Sequence, residues 1–423
     1  MERPSSLSVV LNEIRQAGPI SRIDLARRIG LSSAAISKLT GRLLSADLIR
    51  EVGFSPSTVG RRPILLALNG DAYHVVGLDL SWQGLRGAIV NLGGHILVDR
   101  KVACNLFEEE SEAEIVGALA SLVEELVAAS GLERDRLLGV GLVAPGAVSW
   151  HQGRMVAPTP PTMSITHNIR RRPPFDWSHI ALAEEQQERT GLPTYVDNNA
   201  NAAAVAETWF GEHRGAKNLA YVAVGGGIGA GLIVNGEPYR GDRGLVAEIG
   251  HTTVQFDGPP CRCGNVGCLE LYASTVALLD DARRLLAEAD TETLGGLAAW
   301  KDRPEQLTAE DVYQCAHQGS PGCQELVARQ AAYLGTGIVN LVNMMGCNLV
   351  VLGSRELSLP MLDGLCARVT EIVRERAYAS AARFVEICPS HLGADAFILG
   401  AATLVLHPFF AAPEAVMRPA EAH

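Results

Sequence analysis

The sequence has no long apolar run and no signal-peptide pattern at its N-terminus. No hydrophobic stretch approaches the roughly 18 residues that a membrane-spanning helix needs, and the first residues, Met1 to Ser5, do not form a targeting signal. The hydrophobic fraction of 47% and the charged fraction of 20% are ordinary for globular proteins. We therefore expect a cytoplasmic protein without a membrane partner, and 423 residues suggest two or three domains.

The nine cysteines are an odd number in a chain without secretory context, which argues against a disulfide framework. Cys261, Cys263 and Cys268 fall within eight residues, and His251 precedes them by ten. A lone cysteine is usually an ordinary buried thiol. Three thiolates and one imidazole, however, are a ligand set that a closed tetrahedral zinc site takes. The cluster therefore predicts a Zn²⁺ site made by these four residues.

Two carboxylates flank this cluster without being needed to saturate zinc. Glu248 begins the stretch Glu-Ile-Gly-His, and Glu270 ends the stretch Cys-x-Cys-Gly-x-x-Gly-Cys-x-Glu. The combination resembles the signature of the ROK family, which comprises repressors, open reading frames and sugar kinases. The resemblance implies that the zinc loop is structural and that Glu248, His251 and Glu270 contact the hydroxyls of a sugar.

The charge is distributed unevenly along the chain. The formal net charge is -11, yet residues 1–62 carry ten Lys and Arg against five Asp and Glu. Such an asymmetry indicates a nucleic-acid module attached to an acidic body.

The first seventy residues have the pattern of a helix-turn-helix. Apolar residues recur at helical spacing from Leu7 to Ile14, Ser21 is placed to cap a second helix, and Ser32 or Ser33 to cap a third. Two short strands around Gly60-Arg61-Arg62-Pro63 then predict a wing.

This pattern looks like the winged helix-turn-helix of ROK repressors, which implies a DNA-binding domain over residues 1–70. The resemblance and the exposed face of the third helix give a set of DNA-contacting candidates: Ser33, Ser37, Lys38, Arg42, Arg61 and Arg62. The alternative is a helical bundle for protein contact, which the wing and the local positive charge disfavour.

From His74 onward, strands and helices alternate, which predicts an α/β architecture. The family resemblance refines this to a two-lobed actin-like ATPase (ROK) domain over residues 72–410. We expect a small lobe over about 72–197 plus 394–410 and a large lobe over about 198–393. The Pro/Ala-rich tail, 411–423, is predicted to be disordered.

The positions that hold phosphate in ROK kinases are altered. Where these kinases have Asp-x-Gly-Gly-Thr, this chain has Asp79-Leu80-Ser81-Trp82-Gln83, and Trp82 should occlude a phosphate that only glycine amides can approach. The second phosphate loop, Gly-Thr-Gly-x-Gly, is here 225–229, which keeps its glycines but loses the hydroxyl. A glycine-rich segment of this kind can also be an ordinary turn.

The catalytic base is also altered. The kinases carry Asn-Asp-Ala-Asn, and this chain has Asn198-Asn199-Ala200-Asn201. An amide at position 199 cannot accept the proton of the sugar hydroxyl, although it can still form a hydrogen bond. Asp197, two positions before Asn199, is a candidate replacement for the catalytic base. This role requires that a strand places its side chain on the same face as that of Asn199.

The resemblance therefore implies a site that binds sugar and has lost phosphoryl transfer. Its predicted sugar contacts are Asn198, Asn199, Glu248, His251 and Glu270. We predict a sugar-responsive transcriptional repressor, not an enzyme, that binds operator DNA as a dimer or a tetramer. Two alternatives are an ATP-dependent sugar kinase that also binds DNA, and a zinc loop that itself reads nucleic acid.

Overall fold

A computed structural model describes residues 4–55, 62–81, 84–103, 112–157, 180–241 and 244–417. The helices are α1 (Ser6–Ala17), α2 (Arg22–Ile29), α3 (Ser33–Ser45), α4 (Glu112–Ser130), α5 (Leu182–Thr190), α6 (Asn199–Phe210), α7 (Glu270–Ala273), α8 (Thr275–Glu288), α9 (Thr291–Leu294), α10 (Ala309–His317), α11 (Pro321–Met345), α12 (Leu359–Arg376), α13 (Ala379–Ala382) and α14 (Asp395–Ala411). The strands are β1 (Ile20–Ser21), β2 (Ile49–Phe54), β3 (Ile64–Leu68), β4 (His74–Ser81), β5 (Gly84–Asn91), β6 (Ile96–Val102), β7 (Leu137–Ala144), β8 (Ala147–Ser149), β9 (Arg154–Ala157), β10 (Thr194–Asn198), β11 (Leu219–Val224), β12 (Ile228–Val234), β13 (Glu237–Tyr239), β14 (Leu349–Gly353) and β15 (Glu386–Pro389). Within these ranges, no helix combines the length and the apolar character that crossing a bilayer requires.

The N-terminal unit has the predicted winged helix-turn-helix architecture. The Ser21 side chain accepts a hydrogen bond from the Asp24 amide and so caps α2, and Ser32 caps α3 in the same way. The strands form a small sheet in the order β1-β3-β2, in which β2 and β3 are the antiparallel strands of the wing. The apolar residues of the three helices and the sheet form one core: Leu7, Leu11, Leu25, Ile36, Leu43 and Leu66.

Two five-stranded sheets with the same topology form the body of the protein. The first has the order β10-β7-β4-β5-β6, and the second the order β13-β12-β11-β14-β15. In each sheet three strands form an antiparallel meander, and two parallel strands extend it on the other side. The central strand β4 is buried over nearly its whole length, as expected for a strand covered on both faces.

The helices α6 and α14 pack tightly against each other between the two sheets. Their contact is close because the facing residues are small: a Cβ at Gly400 of α14 would lie 2.6 Å from the Ala202 carbonyl group of α6. The residues around this contact form one buried cluster with side chains of both sheets, among them Val143 of β7 and Tyr221 of β11. A helix pair therefore connects the first sheet with the second.

The winged helix-turn-helix is attached to the C-terminal end of α14. The Phe410 carbonyl oxygen accepts hydrogen bonds from Ser8 Oγ at 2.7 Å and Asn12 Nδ2 at 3.0 Å. The chain after α14 continues this contact, because Ser5 Oγ donates to Glu414 Oε1 at 2.7 Å. The predicted disorder from Ala411 is therefore wrong for residues 411–417, which the N-terminal unit holds, whereas 418–423 lie outside the described residues.

Candidate functional site

A cavity of about 450 Å³ lies between the two sheets. The first sheet and the segments following it contribute Ser81, Pro145 and Gly146, and the second sheet contributes the loop between β11 and β12. The five predicted sugar contacts line this cavity together: Asn198, Asn199, Glu248, His251 and Glu270. Folding thus brings together side chains from three separate stretches of the chain.

The two carboxylates among the predicted sugar contacts have different surroundings. Glu270 begins α7 and is buried, and its Oε2 accepts a hydrogen bond from the Ile228 amide at 3.0 Å. Glu248 is exposed, although the protein around its carboxyl group desolvates it enough to raise its pKa; His251 opposes this rise and Glu270 adds to it. Glu248 is therefore the more accessible acceptor for a ligand hydroxyl.

The two asparagines at the start of α6 differ in the hydrogen bonds that their side chains form within the protein. Asn198 is the N-cap of the helix: its Oδ1 accepts from the amides of Ala200 and Asn201, and its Nδ2 donates to the Gly146 carbonyl oxygen at 2.8 Å. One N–H of Asn198 is left for a ligand. Asn199 occupies the first helical position and lines the cavity as a neutral amide.

Asp197 does not face the cavity together with Asn199. The strand β10 ends at Asn198 and the helix begins at the next residue, so the alternation on which the shared face depended stops there. Asp197 is buried, its Oδ1 accepts from the Asn198 amide, and its Oδ2 pairs with Arg240 Nε at 2.7 Å. This ion pair and its position argue against Asp197 as a replacement base.

The predicted metal ligands form one cluster. The ligand atoms of His251, Cys261, Cys263 and Cys268 all lie within 4.8 Å of one another. The Sγ atoms of Cys263 and Cys268 are 3.7 Å apart, and His251 Nδ1 is 3.7 Å from Cys261 Sγ. A tetrahedral zinc site with Zn–S bonds of about 2.3 Å has edges of about 3.6–3.8 Å, so the cluster fits such an ion.

Burial raises the pKa of the thiols of Cys261 and Cys268 above the ordinary value when no metal is bound. A metal ion must therefore displace their protons, which makes metal affinity dependent on pH. His251 directs Nδ1 toward the thiols while the residue also lines the cavity. The cluster and the cavity consequently share one side chain.

The cavity also contains two charged residues that the sequence did not indicate. Arg355 follows β14 and forms two hydrogen bonds to Asp79 of β4, Nη2 to Oδ1 at 2.7 Å and Nε to Oδ2 at 2.9 Å. Glu356 Oε1 accepts from the Gly226 amide at 3.0 Å. The only available signal was the position of a charged pair directly after a buried parallel strand, where ligand sites of α/β proteins occur. Trp82 lies outside the described residues.

The predicted DNA contacts on α3 lie on one open surface. Ser33, Ser37, Lys38 and Arg42 are exposed, as is Arg62 before β3, whereas Arg61 lies outside the described residues.

Thr40 of α3, in contrast, is buried. Its Oγ1 donates to the Ile36 carbonyl oxygen and accepts from Arg22 Nε. This contact turns Thr40 toward α2, so Thr40 is not part of the exposed surface of α3.

The two sheets, the cavity between them and the N-terminal unit define a class of protein: a sugar-kinase-like body that carries a winged helix-turn-helix. Residues 75–407 match the ROK family, and residues 9–50 match the winged helix-turn-helix DNA-binding family. The chain belongs to the ROK family, as the sequence motifs predicted.

Regulators of this family are similar to the chain over nearly its whole length. The xylose repressor of Caldicellulosiruptor bescii is 29% identical over 406 residues, which are 96% of this chain and 96% of that protein. A solved structure of a ROK family transcriptional regulator, a homolog of the E. coli MLC protein, has a TM-score of 0.76 and 26% identity over 96% of both chains.

A kinase of the family is similar over a shorter part. The ROK family glucokinase from Streptomyces griseus, solved in complex with glucose and AMPPNP, has a TM-score of 0.63 and 27% identity. The matched region comprises 78% of this chain and 98% of the glucokinase chain. The family thus includes both regulators and kinases, and the residues of each chain decide between them.

Proposed function

We propose that this protein is a sugar-responsive, DNA-binding transcriptional repressor whose kinase-like body binds a sugar without phosphorylating it. One observation carries the proposal: the cavity brings Glu248, His251 and Glu270 together with an amide, Asn199, at the position of the catalytic base. The cavity thus contains the predicted sugar contacts, and an amide stands where the kinases of the family have an aspartate base. The names and the nearly full-length similarity of the regulators support the same function.

The sugar contacts follow from the chemistry of the lining groups. Carboxylates accept hydrogen bonds only, so Glu248 and Glu270 would accept from ligand hydroxyls, and Asn199 could both donate and accept. A zinc ion on Nδ1 of His251 would leave the other ring nitrogen as an N–H donor toward the cavity. We propose that the zinc is structural and that it fixes the loop from which Glu270 follows.

Coupling to DNA would run through the helices between the sheets. The helix α6 begins at Asn199 in the cavity and ends at Phe210, and its Trp209 ring contacts Arg15 of the winged helix-turn-helix. A sugar that prefers one arrangement of the sheets would therefore also bias the position of the DNA-binding unit. It can do so only by the difference in its affinity for the two arrangements. We propose that a dimer reads two half-sites of a palindromic operator and releases it when sugar binds.

The test starts from a duplex selected from a random library by the full-length protein. Fluorescence anisotropy then measures binding of this duplex in the presence of D-xylose, D-glucose or N-acetylglucosamine. We expect one sugar to lower the DNA affinity at least tenfold in the native protein but not in Glu248→Gln, with Glu375→Gln, an exposed glutamate of α12, as the matched control. Failure to select any duplex, or affinity that no free sugar changes, would reject the proposal.

A kinase assay addresses the alternative function. Because Asn199 cannot accept a proton and Asp197 is paired with Arg240, we expect no sugar-dependent formation of ADP. Turnover that Asn199→Ala abolishes would show that the protein is a sugar kinase.

Metal removal tests the zinc proposal. We expect a chelator to release one zinc ion per chain, detected with a zinc-sensitive dye, and to weaken sugar binding before DNA binding. Cys263→Ser should lose the metal, whereas Cys388→Ser, outside the cluster on β15, should keep it. Sugar affinity that is unchanged after zinc release would contradict a role of the metal in the sugar site.

A further inference from the structure

Two consecutive side chains line the cavity beside the glycine loop between β11 and β12. Arg355 and Glu356 both line the cavity and both follow β14 of the second sheet. We call them the Arg–Glu pair. Neither belongs to the predicted sugar contacts nor to the metal cluster.

Arg355 connects the second sheet with the first. Its guanidinium group forms a two-pronged ion pair with Asp79 of β4, a carboxylate that is only 4% exposed. The same guanidinium lies 3.3 Å from the centre of the Phe397 ring of α14. A planar guanidinium suits both contacts, because it matches a carboxylate in two bonds and stacks on an aromatic face.

Glu356 covers the glycine loop between β11 and β12. Consecutive glycine amides that are not shielded by side chains form a cradle for an anion. Here the Glu356 carboxylate takes that place: Oε1 accepts from the Gly226 amide at 3.0 Å and lies 3.3 Å from the position of a Cβ at Gly225. The cradle therefore already holds an anionic group of the protein itself.

The Arg–Glu pair provides both a cation for Asp79 and an acceptor for the glycine loop. A buried carboxylate such as Asp79 requires a cation, and the Gly226 amide requires an acceptor, whereas the Gly225 amide already donates to the Gly227 carbonyl oxygen. In a site for a nucleotide and a metal ion, these partners would come from the ligand. The Arg–Glu pair supplies both from two adjacent residues.

We propose that the Arg–Glu pair occupies the part of the cavity beside the glycine loop in which a phosphate group would otherwise bind. The pair also joins the two sheets and makes sugar binding independent of a nucleotide. The joining role deepens the proposed function and rests on it. The occupation of the glycine cradle does not, because it concerns the protein without sugar.

The first experiment tests the occupation with pyrophosphate as the probe. We expect Glu356→Ala, which frees the Gly226 amide, to bind pyrophosphate in isothermal titration calorimetry at least tenfold more tightly than the native protein does. Glu375→Ala, at an exposed position, should behave like the native protein. Equal binding by the native protein would show that the cradle is open, and no binding by Glu356→Ala would show that the loop is not an anion site; either result overturns the proposal.

The second experiment tests whether Arg355 positions the sheets for the sugar. We expect Asp79→Asn and Arg355→Gln each to weaken the affinity for the inducing sugar by about tenfold, and the double variant to lose less than the product of the two effects. Addition of AMPPNP should leave the sugar affinity of the native protein unchanged. Variants that lower the thermal midpoint but keep the sugar affinity would reduce the ion pair to a structural role and overturn the joining function.

The two experiments separate failure of this proposal from failure of the proposed function. If the native protein binds no free sugar, the proposed function fails, whereas the pyrophosphate experiment still decides whether the cradle is occupied. If the sugar binds and the AMPPNP complex forms in the native protein, the proposed function survives and the Arg–Glu pair is not the occupant.

Discussion

At the scale of single residues, Gly227 controls how closely Glu270 approaches the glycine loop. A Cβ at this position would lie 2.6 Å from Glu270 Oε2, the atom that accepts from the Ile228 amide. A methyl group there must displace the carboxylate, because real Cβ atoms essentially never come so close.

We therefore expect Gly227→Ala to lower sugar affinity about tenfold, the loss of one hydrogen bond to a charged acceptor. Gly364→Ala is the matched control, because its Cβ would meet nothing within 4 Å on α12. Calorimetry with the inducing sugar measures both variants. Unchanged affinity in Gly227→Ala would mean that Glu270 does not contact the ligand.

Glu207 is a buried carboxyl group at the end of α6 with a pH-dependent effect on stability. It is 1% exposed, and burial raises its pKa even though the hydrogen bond from Ser390 Oγ opposes the rise. His213 also lowers this pKa, whereas Glu212 adds charge repulsion. An acid with a raised pKa in the folded state retains its proton longer there than in the unfolded chain, so the free energy of unfolding falls as pH rises through this window.

We expect the thermal midpoint of Glu207→Gln, relative to the native protein, to increase as pH is raised above about 4.5 and to level off once Glu207 has ionised in the folded protein, because glutamine has no ionisation cost. The midpoint of Glu375→Gln should stay parallel to that of the native protein. A difference that is constant with pH would show that the pKa of Glu207 is the same in both states.

At the scale of elements, α6 is the physical link between the cavity and the DNA-binding unit. Arg15 of α1 lies 3.8 Å from the centre of the Trp209 ring and 5.2 Å from that of Phe410. Burial, with a further effect of Arg214, lowers the pKa of Arg15 to about 10, so the side chain remains charged at neutral pH. An arginine that is partly removed from water interacts more strongly with the face of an aromatic ring than an exposed arginine does.

We expect Arg15→Ala to keep DNA binding but to reduce the effect of sugar on DNA affinity severalfold, because the winged helix-turn-helix no longer follows α6. Arg28→Ala, which removes the exposed ion pair with Glu13, is the control within the same unit. Anisotropy with and without sugar measures the ratio. A full sugar response in Arg15→Ala would place the coupling elsewhere.

At the scale of the whole molecule, the two functions occupy opposite ends of the helix pair α6 and α14. The exposed stripe of α3 is far in sequence from the cavity residues and shares no side chain with them. Changes on α3 should therefore alter DNA affinity without altering sugar affinity.

We expect Lys38→Ala to weaken DNA binding about equally for all duplexes and to reduce the slope of log K against log salt by about 1, the value for one lost phosphate contact. Sugar affinity should not change. Lys301→Ala, which changes an exposed lysine between α9 and α10, should alter neither the salt slope nor the sugar affinity. An unaltered salt slope in Lys38→Ala would show that this residue does not contact phosphate.

Much of the protein could be predicted from its sequence because the relevant residues are close along the chain. The capping serines, the strands and helices after His74 and the four predicted metal ligands are local patterns, and the structure contains all of them. The family resemblance was confirmed by the match over residues 75–407.

Only the tertiary structure decided which groups are free to act. The pair of Arg355 with Asp79 joins residues 276 positions apart, and the contact of Ser5 with Glu414 joins residues 409 positions apart. Neither pair has a local pattern, because an ion pair or hydrogen bond between distant segments forms only after the sheets have packed. The sequence by itself therefore determined the family, most of the elements and the five predicted sugar contacts that line the cavity. The packing of the two sheets and α14 determined that Asp197 is paired, that the glycine loop is covered and that the C-terminal segment is held.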